Sequence, residues 1–390
     1  MADESDALSG ATRVARVVAI GSARGAYGGP FDTALNQAIA LAGAPDRVEL
    51  VYGYFAGDRP RVPDGIADGG FKVRRLPGLP GFTGAISLRA LVGVWRSVGT
   101  STVVHISLAR EPIPLAALLV AGLRRRPVVV QPHGMLSART SLAHAQVDRL
   151  LRRLVRRARA LVLALTERER DELCTLLSVS RSSVRVLGNP TSITEAQSRT
   201  MREWPRRDEV LFVGRLHQRK RVDVLIGAAR HAHRLGWHEK YVVVGPDGGE
   251  LYSVEAAARD LPNFEYEGSL SKDQVPSRLA RAAVLAHPAA NEPWGNVLAM
   301  ALQLRTPSVV ARSAALAGAI SQAGGGVAVD DGDAQALATA AHDLIVGGTK
   351  LSWAEVDAIV PDLAMTQFAL SAAYDTATVM RSGAPGRGPL

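Results

Sequence analysis

The feature that most constrains this chain is an alternation. Short runs rich in β-branched residues are each closed by a glycine, a proline or a polar turn and followed by a longer helical pattern. RVARVVAI (13 to 20) runs into a Gly-rich turn and then a helix through FDTALNQAIALA (31 to 42). VELVYGY (48 to 54), TVVHI (102 to 106), PVVVQ (127 to 131), ALVLAL (160 to 165) and VRVLG (184 to 188) continue the series. Such runs buried on both faces, separated by helices, are the mark of right-handed βαβ units around a parallel sheet. After Asn189-Pro190 a polar stretch without periodicity (TSITEAQSRTMREWPRRD) interrupts the pattern, which then restarts at EVLFVG (209 to 214). KYVVVG (240 to 245), NFEYEG (263 to 268), AVLAHP (283 to 288) and PSVVA (307 to 311) follow. The expected organisation is therefore α/β, with one sheet domain over 13–195, a linker over 196–207 and a second sheet domain from 208. Ligands of open parallel sheets bind beyond the carboxyl ends of the strands, and a tandem pair is expected to leave a cleft there.

Length and composition narrow the class. At 390 residues the chain exceeds what one core fills, and 47 % hydrophobic against 21 % charged residues excludes a disordered chain. The longest apolar stretch, Pro112 to Leu123, stops at Arg124-Arg125-Arg126, short of the roughly 18 residues of a membrane span. It reads as a buried helix. The single Cys174 excludes a disulfide framework and fits a reducing cytoplasm. Residues 1–12 lack the basic start and apolar centre of a signal peptide and are expected to fray, like the tail 381–390. The net charge of +9 is uneven, because residues 1–195 carry 26 basic and 16 acidic side chains and the remainder 20 and 21. That bias calls for an anionic partner of the first half.

Candidate chemistry concentrates at strand ends. In LFVGRLHQRKRVDVLI a buried strand ends at Gly214 and delivers Arg215 and Lys220 to the turn before a helix, where the positive helix end makes an anion site suited to a diphosphate. Exposed loop cations would read the same way. In AHPAANEPWGNVLAMALQLRTPSVVA an acid, Glu292, occupies the loop after a strand, and Gly295, Asn296 and Val297 open a helix whose N–H groups suit phosphate oxygens.

Together these two segments resemble the donor-binding half of family 4 of the retaining glycosyltransferases, which have the GT-B fold. The family pattern is a strand ending Gly-Arg, a Lys five residues later, an acid followed by an aromatic-Gly step, a helix, and a Pro before a β-branched strand. QPHGML (131 to 136), LTERERDEL (165 to 173), VLGNP (186 to 190), VVVGPDGGE (242 to 250) and GGGVAVDDGDAQALATAAHDL (324 to 344) occur in family order. One departure stands out: the second glutamate, eight residues after the first in the family and thought to hold the donor ribose, is Met300 here. The resemblance implies two Rossmann-like domains with parallel sheets facing a central cleft, residues 13–195 serving the acceptor and 208–365 a nucleotide-sugar donor. It implies a C-terminal helix over 366–380 packing back toward the first domain. Arg215, Lys220 and the helix opening at Gly295 would hold the nucleoside diphosphate and Glu292 the sugar hydroxyls. Gly245, Asp247, Glu267 and the neighbouring Gly268 would lie near the base. Gly28 and Gly29 resemble the family's glycine pair at the donor phosphate, and His133 a histidine near the donor sugar. Arg110 and Glu111, at a strand end, are acceptor candidates.

Other features read as structure. Asp331-Gly-Asp333 imitates a metal motif, but Asp333 suits a helix N-cap. Cys174 lies in an apolar helical run. Arg149, Arg152, Arg153, Arg156 and Arg157 follow helical spacing opposite an apolar face, which fits a solvated surface helix or docking on an anionic membrane. With 5 % aromatic residues and no recognition motif, nucleic acid is not expected. The sequence thus points to a cytoplasmic, metal-independent, retaining hexosyltransferase without a cofactor, peripheral to the inner membrane face if the arginine helix docks. UDP-sugars are favoured by family frequency, and the acceptor is a small molecule, glycan or lipid-linked hydroxyl. A sugar-nucleotide 2-epimerase of the same fold, or a non-catalytic peripheral membrane-binding protein, are the rivals.

Overall fold

The computed structural model describes residues 12–23, 29–42, 47–75, 84–136, 142–347, 351–353 and 359–383. The chain divides into two compact units, one of Met1–Pro190 with Leu363–Leu390 and one of Thr191–Asp362.

The first unit carries a seven-stranded sheet. Its chain order is β1 (Arg13–Ile20), β2 (Arg47–Tyr54), β3 (Ala67–Lys72), a small antiparallel pair β4 (Arg74–Arg75) and β5 (Ala85–Ile86), then β6 (Val103–Ser107), β7 (Val128–Gln131), β8 (Leu161–Ala164) and β9 (Val184–Val186). The order across the sheet is β3-β2-β1-β6-β7-β8-β9, with every ladder parallel. Along β1 the side chains alternate between two cores, as the two-residue period of a strand requires. Ala15 and Val17 join the face covered by α2 (Leu88–Thr100), α3 (Pro112–Leu123), α4 (Leu142–Ala158) and α5 (Glu167–Leu177). Val14 and Val18 join the face covered by α1 (Gly29–Ala42) and α13 (Leu363–Ser382). The last helix therefore belongs to the first unit, where Leu370, Ala373, Tyr374 and Ala377 are buried against the sheet.

The second unit opens with α6 (Glu195–Arg202), inside the span expected to be an irregular linker. A full capping box forms there, Thr194 Oγ1 accepting from the Gln197 N–H while Gln197 Oε1 accepts from the Thr194 N–H at 2.9 Å. Local capping chemistry outweighs the absence of an apolar stripe. The sheet contains β10 (Arg207–Val213), β11 (Lys240–Val244), β12 (Phe264–Tyr266), β13 (Ala282–His287), β14 (Ser308–Ala311) and β15 (Gly326–Val329). Between them run α7 (Val222–Arg234), α8 (Leu251–Asp260), α9 (Val275–Ala280), α10 (Asn296–Gln303) and α11 (Ala317–Gln322), with α12 (Ala334–Ile345) closing the unit. The order β12-β11-β10-β13-β14-β15 repeats the topology of the first sheet. In each sheet the direction of travel reverses once, between β1 and β6 and between β10 and β13. Diverging loops at such a switch point form the ligand crevice of doubly wound sheets.

Candidate functional site

Of the groups singled out in the sequence, Lys220 and Glu292 meet at the switch point of the second sheet, while Arg215 leaves the end of β10 toward the loop after β11. After Val213 the Gly214 N–H bonds to the Val244 carbonyl at 3.0 Å, which ends β10 in register with β11. Gly245, at φ 153°, lies so close that a Cβ there would sit 1.8 Å from the Gly214 oxygen, so only glycine fits. The chain then exposes Arg215, buries Leu216, makes a short 3-10 turn at Gln218–Lys220 and enters α7 through the left-handed Arg221. Arg215 runs alongside Gly248, where a Cβ would meet its Cγ and Nε at 2.9 Å.

From the neighbouring strand end comes Glu292. Its loop is pinned by the Ala315 N–H, which bonds to the Glu292 carbonyl at 2.9 Å, and by the Asn291 N–H, which donates to Ser313 Oγ at 2.8 Å. The carboxylate Oε2 lies 2.5 Å from Lys220 Nζ and 3.7 Å from His287 Nε2. Burial by itself would push this carboxyl up, but His287 and Lys220 outweigh it and hold the group at about 2. Glu292 is thus an anion at neutral pH, seated against a cation it can share with an incoming ligand. Gly295 caps α10 at φ 78° and lets these groups meet, since a Cβ would stand 3.3 Å from both Glu292 Cγ and His287 Nε2. Within α10 the Ala299 N–H takes the Gly295 carbonyl at 2.9 Å, so the turn Gly295-Asn296-Val297 sits at the positive end of the helix beside Lys220. Half-buried Met300 lies one turn further along α10.

Two residues expected at the base are otherwise engaged. Both oxygens of Glu267 accept from Arg278, at 2.8 and 3.0 Å, and Arg278 also clamps buried Glu209. A carboxylate so occupied serves the fold. Asp247 Oδ1 accepts the Gly249 N–H at 2.7 Å and the Leu251 N–H at 3.3 Å, shaping the turn into α8. Those N–H groups, and more weakly Arg215, hold its carboxyl below the usual range. The backbone closes the other side of this loop, where Gly268 at φ 81° accepts the Gly245 N–H through its carbonyl at 2.9 Å. Asp333 caps α12 through the Gln335 and Ala336 N–H groups at 3.0 and 2.9 Å.

In the first unit, Gly28 lies outside the described residues and Gly29 is the first residue of α1. Arg110 does not reach outward as an acceptor ligand. It forms a buried bidentate pair with Asp148 of α4, at 2.7 and 3.0 Å. An acid 38 residues away in sequence could not be foreseen as its partner. Glu111 occupies the N-cap position of α3 in extended backbone without a capping bond from its side chain.

His133, at φ 53°, begins a left-handed turn with Gly134 at φ 74° just past the end of β7. The imidazole is buried, with Nδ1 at 3.1 Å from Asn189 Oδ1 and Nε2 at 3.1 Å from Ser107 Oγ. The Gly134 N–H donates to Glu169 Oε1 at 2.7 Å, so α5 braces the turn. Sequence reasoning missed Ser107, Arg16, His287 and the role of Asn189. An arginine inside the β-branched run RVARVVAI was the one legible signal among them.

Two Rossmann-type units in tandem, the second presenting cations, a buried carboxylate and a helix N-terminus at its switch point, define a GT-B glycosyltransferase. Residues 28–190 match the family described as Glycosyl transferase 4-like domain, and residues 207–346 match Glycosyl transferases group 1. The chain belongs to this family, glycosyltransferase family 4, and is an enzyme of sugar transfer. It is similar to an alpha-D-kanosaminyltransferase of Streptomyces kanamyceticus, 28 % identical over 315 residues that span 71 % of this chain and 79 % of the relative. Among solved structures it resembles sucrose-phosphate synthase from Thermosynechococcus elongatus, with a TM-score of 0.67, 15 % identity and coverage of 94 % and 99 % of the two chains. It also resembles Anabaena HepE in complex with UDP and glucose, with a TM-score of 0.66, 18 % identity and coverage of 93 % and 99 %.

Proposed function

We propose that the chain moves a sugar from a nucleotide sugar, a UDP-sugar in the first instance, to an acceptor hydroxyl with retention of anomeric configuration and without a metal ion. The observation that carries the reading is the Lys220–Glu292 couple beside the N-terminus of α10. A donor diphosphate entering there gains Lys220, the exposed Arg215 and backbone N–H groups, and these oppose the negative charge that grows on the leaving phosphate. They supply the positive charge for which other transferases employ a divalent cation. Glu292, freed of part of its bond to Lys220, accepts from hydroxyls of the transferred sugar. The bond from the anomeric carbon to the phosphate oxygen breaks, the acceptor oxygen bonds to that carbon on the same face, and the acceptor proton leaves on the departing phosphate. The name of the kanosaminyltransferase and the UDP held by HepE support this choice of substrate class.

The test is to offer UDP-, GDP-, ADP- and dTDP-sugars with EDTA present, following nucleotide release and the anomeric coupling constant of the product. Release from a UDP-sugar with an unchanged anomer is expected. An inverted product, abolition by EDTA, or no release from any donor would each refute the reading.

A second observation bears on where the acceptor is met. Among the described residues no helix is long and apolar enough to cross a membrane. The outer faces of α2 and α3 nonetheless expose Leu88 (82 %), Val92 (50 %), Trp95 (46 %), Leu119 (47 %) and Leu123 (61 %). Arg124 stacks on Trp95 at 4.1 Å, and Arg89, Arg96, Arg125, Arg149, Arg153, Arg156 and Arg157 are exposed on the same three-helix layer with α4. Neither α2 nor α3 contains an acid, and the one acid of α4, Asp148, is buried against Arg110. An apolar centre ringed by arginines fits an anionic lipid surface, which we propose is the inner face of the membrane. Flotation with phosphatidylglycerol vesicles, lost in Leu88→Glu/Trp95→Glu and absent with phosphatidylcholine alone, is the expected result. Equal recovery of both proteins would refute it.

A further inference from the structure

The most unusual group in the first unit is Arg16, in the middle of β1. Its side chain is entirely buried, and among the described residues no carboxylate forms an ion pair with it. A buried charge is expensive unless its hydrogen-bonding capacity is met. Here it is met completely by neutral acceptors. Nε donates to Gln37 Oε1 at 3.0 Å. Of the two terminal nitrogens, one donates to the carbonyls of Val17 and His105 at 3.1 and 3.4 Å. The other donates to Ser107 Oγ at 2.9 Å and to His133 Nε2 at 3.4 Å. Those bonds account for all five guanidinium N–H groups. Gln37 is itself held by its amide N–H to Gln131 Oε1 at 2.8 Å, so α1 and β7 fix the guanidinium plane.

The consequence falls on His133. Arginine only donates, so Nε2 of His133 must be the acceptor, and it also receives the Ser107 hydroxyl proton. The ring proton is then on Nδ1 and is given to Asn189 Oδ1. Both ring nitrogens are spent inside the protein, and the imidazole offers a ligand no N–H. What the site keeps is the backbone of the left-handed His133-Gly134 turn.

We infer that Arg16 is a positioning residue, whose guanidinium locks His133 in the neutral Nδ1–H form and so holds the His133-Gly134 turn rigid and uncharged beyond the end of β7. The role of that turn rests on the proposed function, whereas the lock itself does not. Burial, and then the neighbouring cation, push the His133 imidazole down to about 3, Asn189 opposing them slightly. The other titratable groups around it do not supply a counter-charge in contact with the ring. His105 on β6 is buried and also pushed down, Tyr374 of α13 touches His105 Nδ1 at 3.1 Å, and Glu169 of α5 is bonded to the Gly134 and Leu165 N–H groups. The Arg110–Asp148 pair lies beyond, Arg110 donating to the Met135 carbonyl at 3.4 Å.

The test reads imidazole 15N shifts in the full-length protein labelled at histidine, the His133 signals assigned by their loss in His133→Gln. In the wild type a proton on Nδ1, a bare Nε2 and no titration from pH 8 to 5 are expected. In Arg16→Gln, with the titration carried down to pH 3.5, the His133 midpoint should stand about one pH unit or more above that of the wild type, a tenfold change in proton affinity, and the ring should populate both tautomers. Arg16→Lys, which keeps the charge with fewer donors, should restore the low midpoint but not the single tautomer. In the transfer assay kcat should acquire a new acid limb below about pH 5 in Arg16→Gln that is absent in Arg16→Lys, with KM for the donor little changed in both. A wild-type Nε2–H tautomer or a wild-type ring titrating from pH 8 to 5 overturns the inference, and needs no variant to fold. So does a folded Arg16→Gln protein whose His133 signals are unmoved. Correct ring signals in a protein that transfers no sugar would refute the function and leave the lock standing.

Discussion

Lys220→Ala perturbs the site at its electrostatic centre. In the folded protein the Glu292 carboxyl stands at about 2 against an ordinary 4.5, a difference worth about 3 kcal/mol at 1.36 kcal/mol per pH unit. Lys220 and His287 produce that depression against burial, so removing the lysine should cost about 1–3 kcal/mol of stability at pH 7. The sign follows from linkage. A depressed carboxyl contributes stability that is complete above its unfolded value and lost as pH falls toward the folded one. The variant should therefore be less stable than wild type at pH 7 and converge with it between pH 4.5 and 2, as Glu292 is protonated in both. Urea unfolding at pH 7, 5 and 3 measures this. The catalytic loss is separate: deleting one preorganised group that meets developing charge costs on the order of 100- to 1,000-fold in kcat. A variant with near-normal kcat, or one whose deficit in stability grows on acidification, would refute this account of the site.

Other expectations are simpler. Arg110→Ala should lower stability by about 3–5 kcal/mol, because it leaves Asp148 buried and unpaired, while any protein that folds keeps a near-normal acceptor KM. Gly245→Ala should fail to give folded protein, since its Cβ would stand 1.8 Å from the Gly214 oxygen, whereas Gly122→Ala in α3 meets no atom within 4 Å and should change Tm by a few degrees at most. His133 and His105 are both buried in the neutral form, so the unfolded chain binds more protons as pH drops below about 6.5 and stability should fall by about 1.4 kcal/mol per pH unit for each. His133→Gln should reduce that slope in unfolding titrations.

The sequence by itself determined most of the strands, the plan of two parallel sheets and which side chains follow the ends of β10 and β13. Runs such as RVARVVAI and KYVVVG are β-branched and flanked by turns, so their conformation is a local matter, and β1 and β11 form where expected. Arg215, Lys220, Glu292 and Gly295 were legible for a similar reason, since each follows directly on a strand end and parallel topology brings adjacent strand ends together. Composition was silent about β3, where ADGGFK lacks β-branched residues and is a strand only because it pairs with β2. The tertiary structure alone decided which polar groups were already committed. Arg110 finds Asp148 across 38 residues, Glu267 is taken by an arginine that also holds Glu209, and the buried charge of Arg16 is spread over α1, β6 and the His133 turn. A side chain's type states what it can bind; only the packing states what it has bound, because partners for buried charge are chosen by proximity in space and not along the chain.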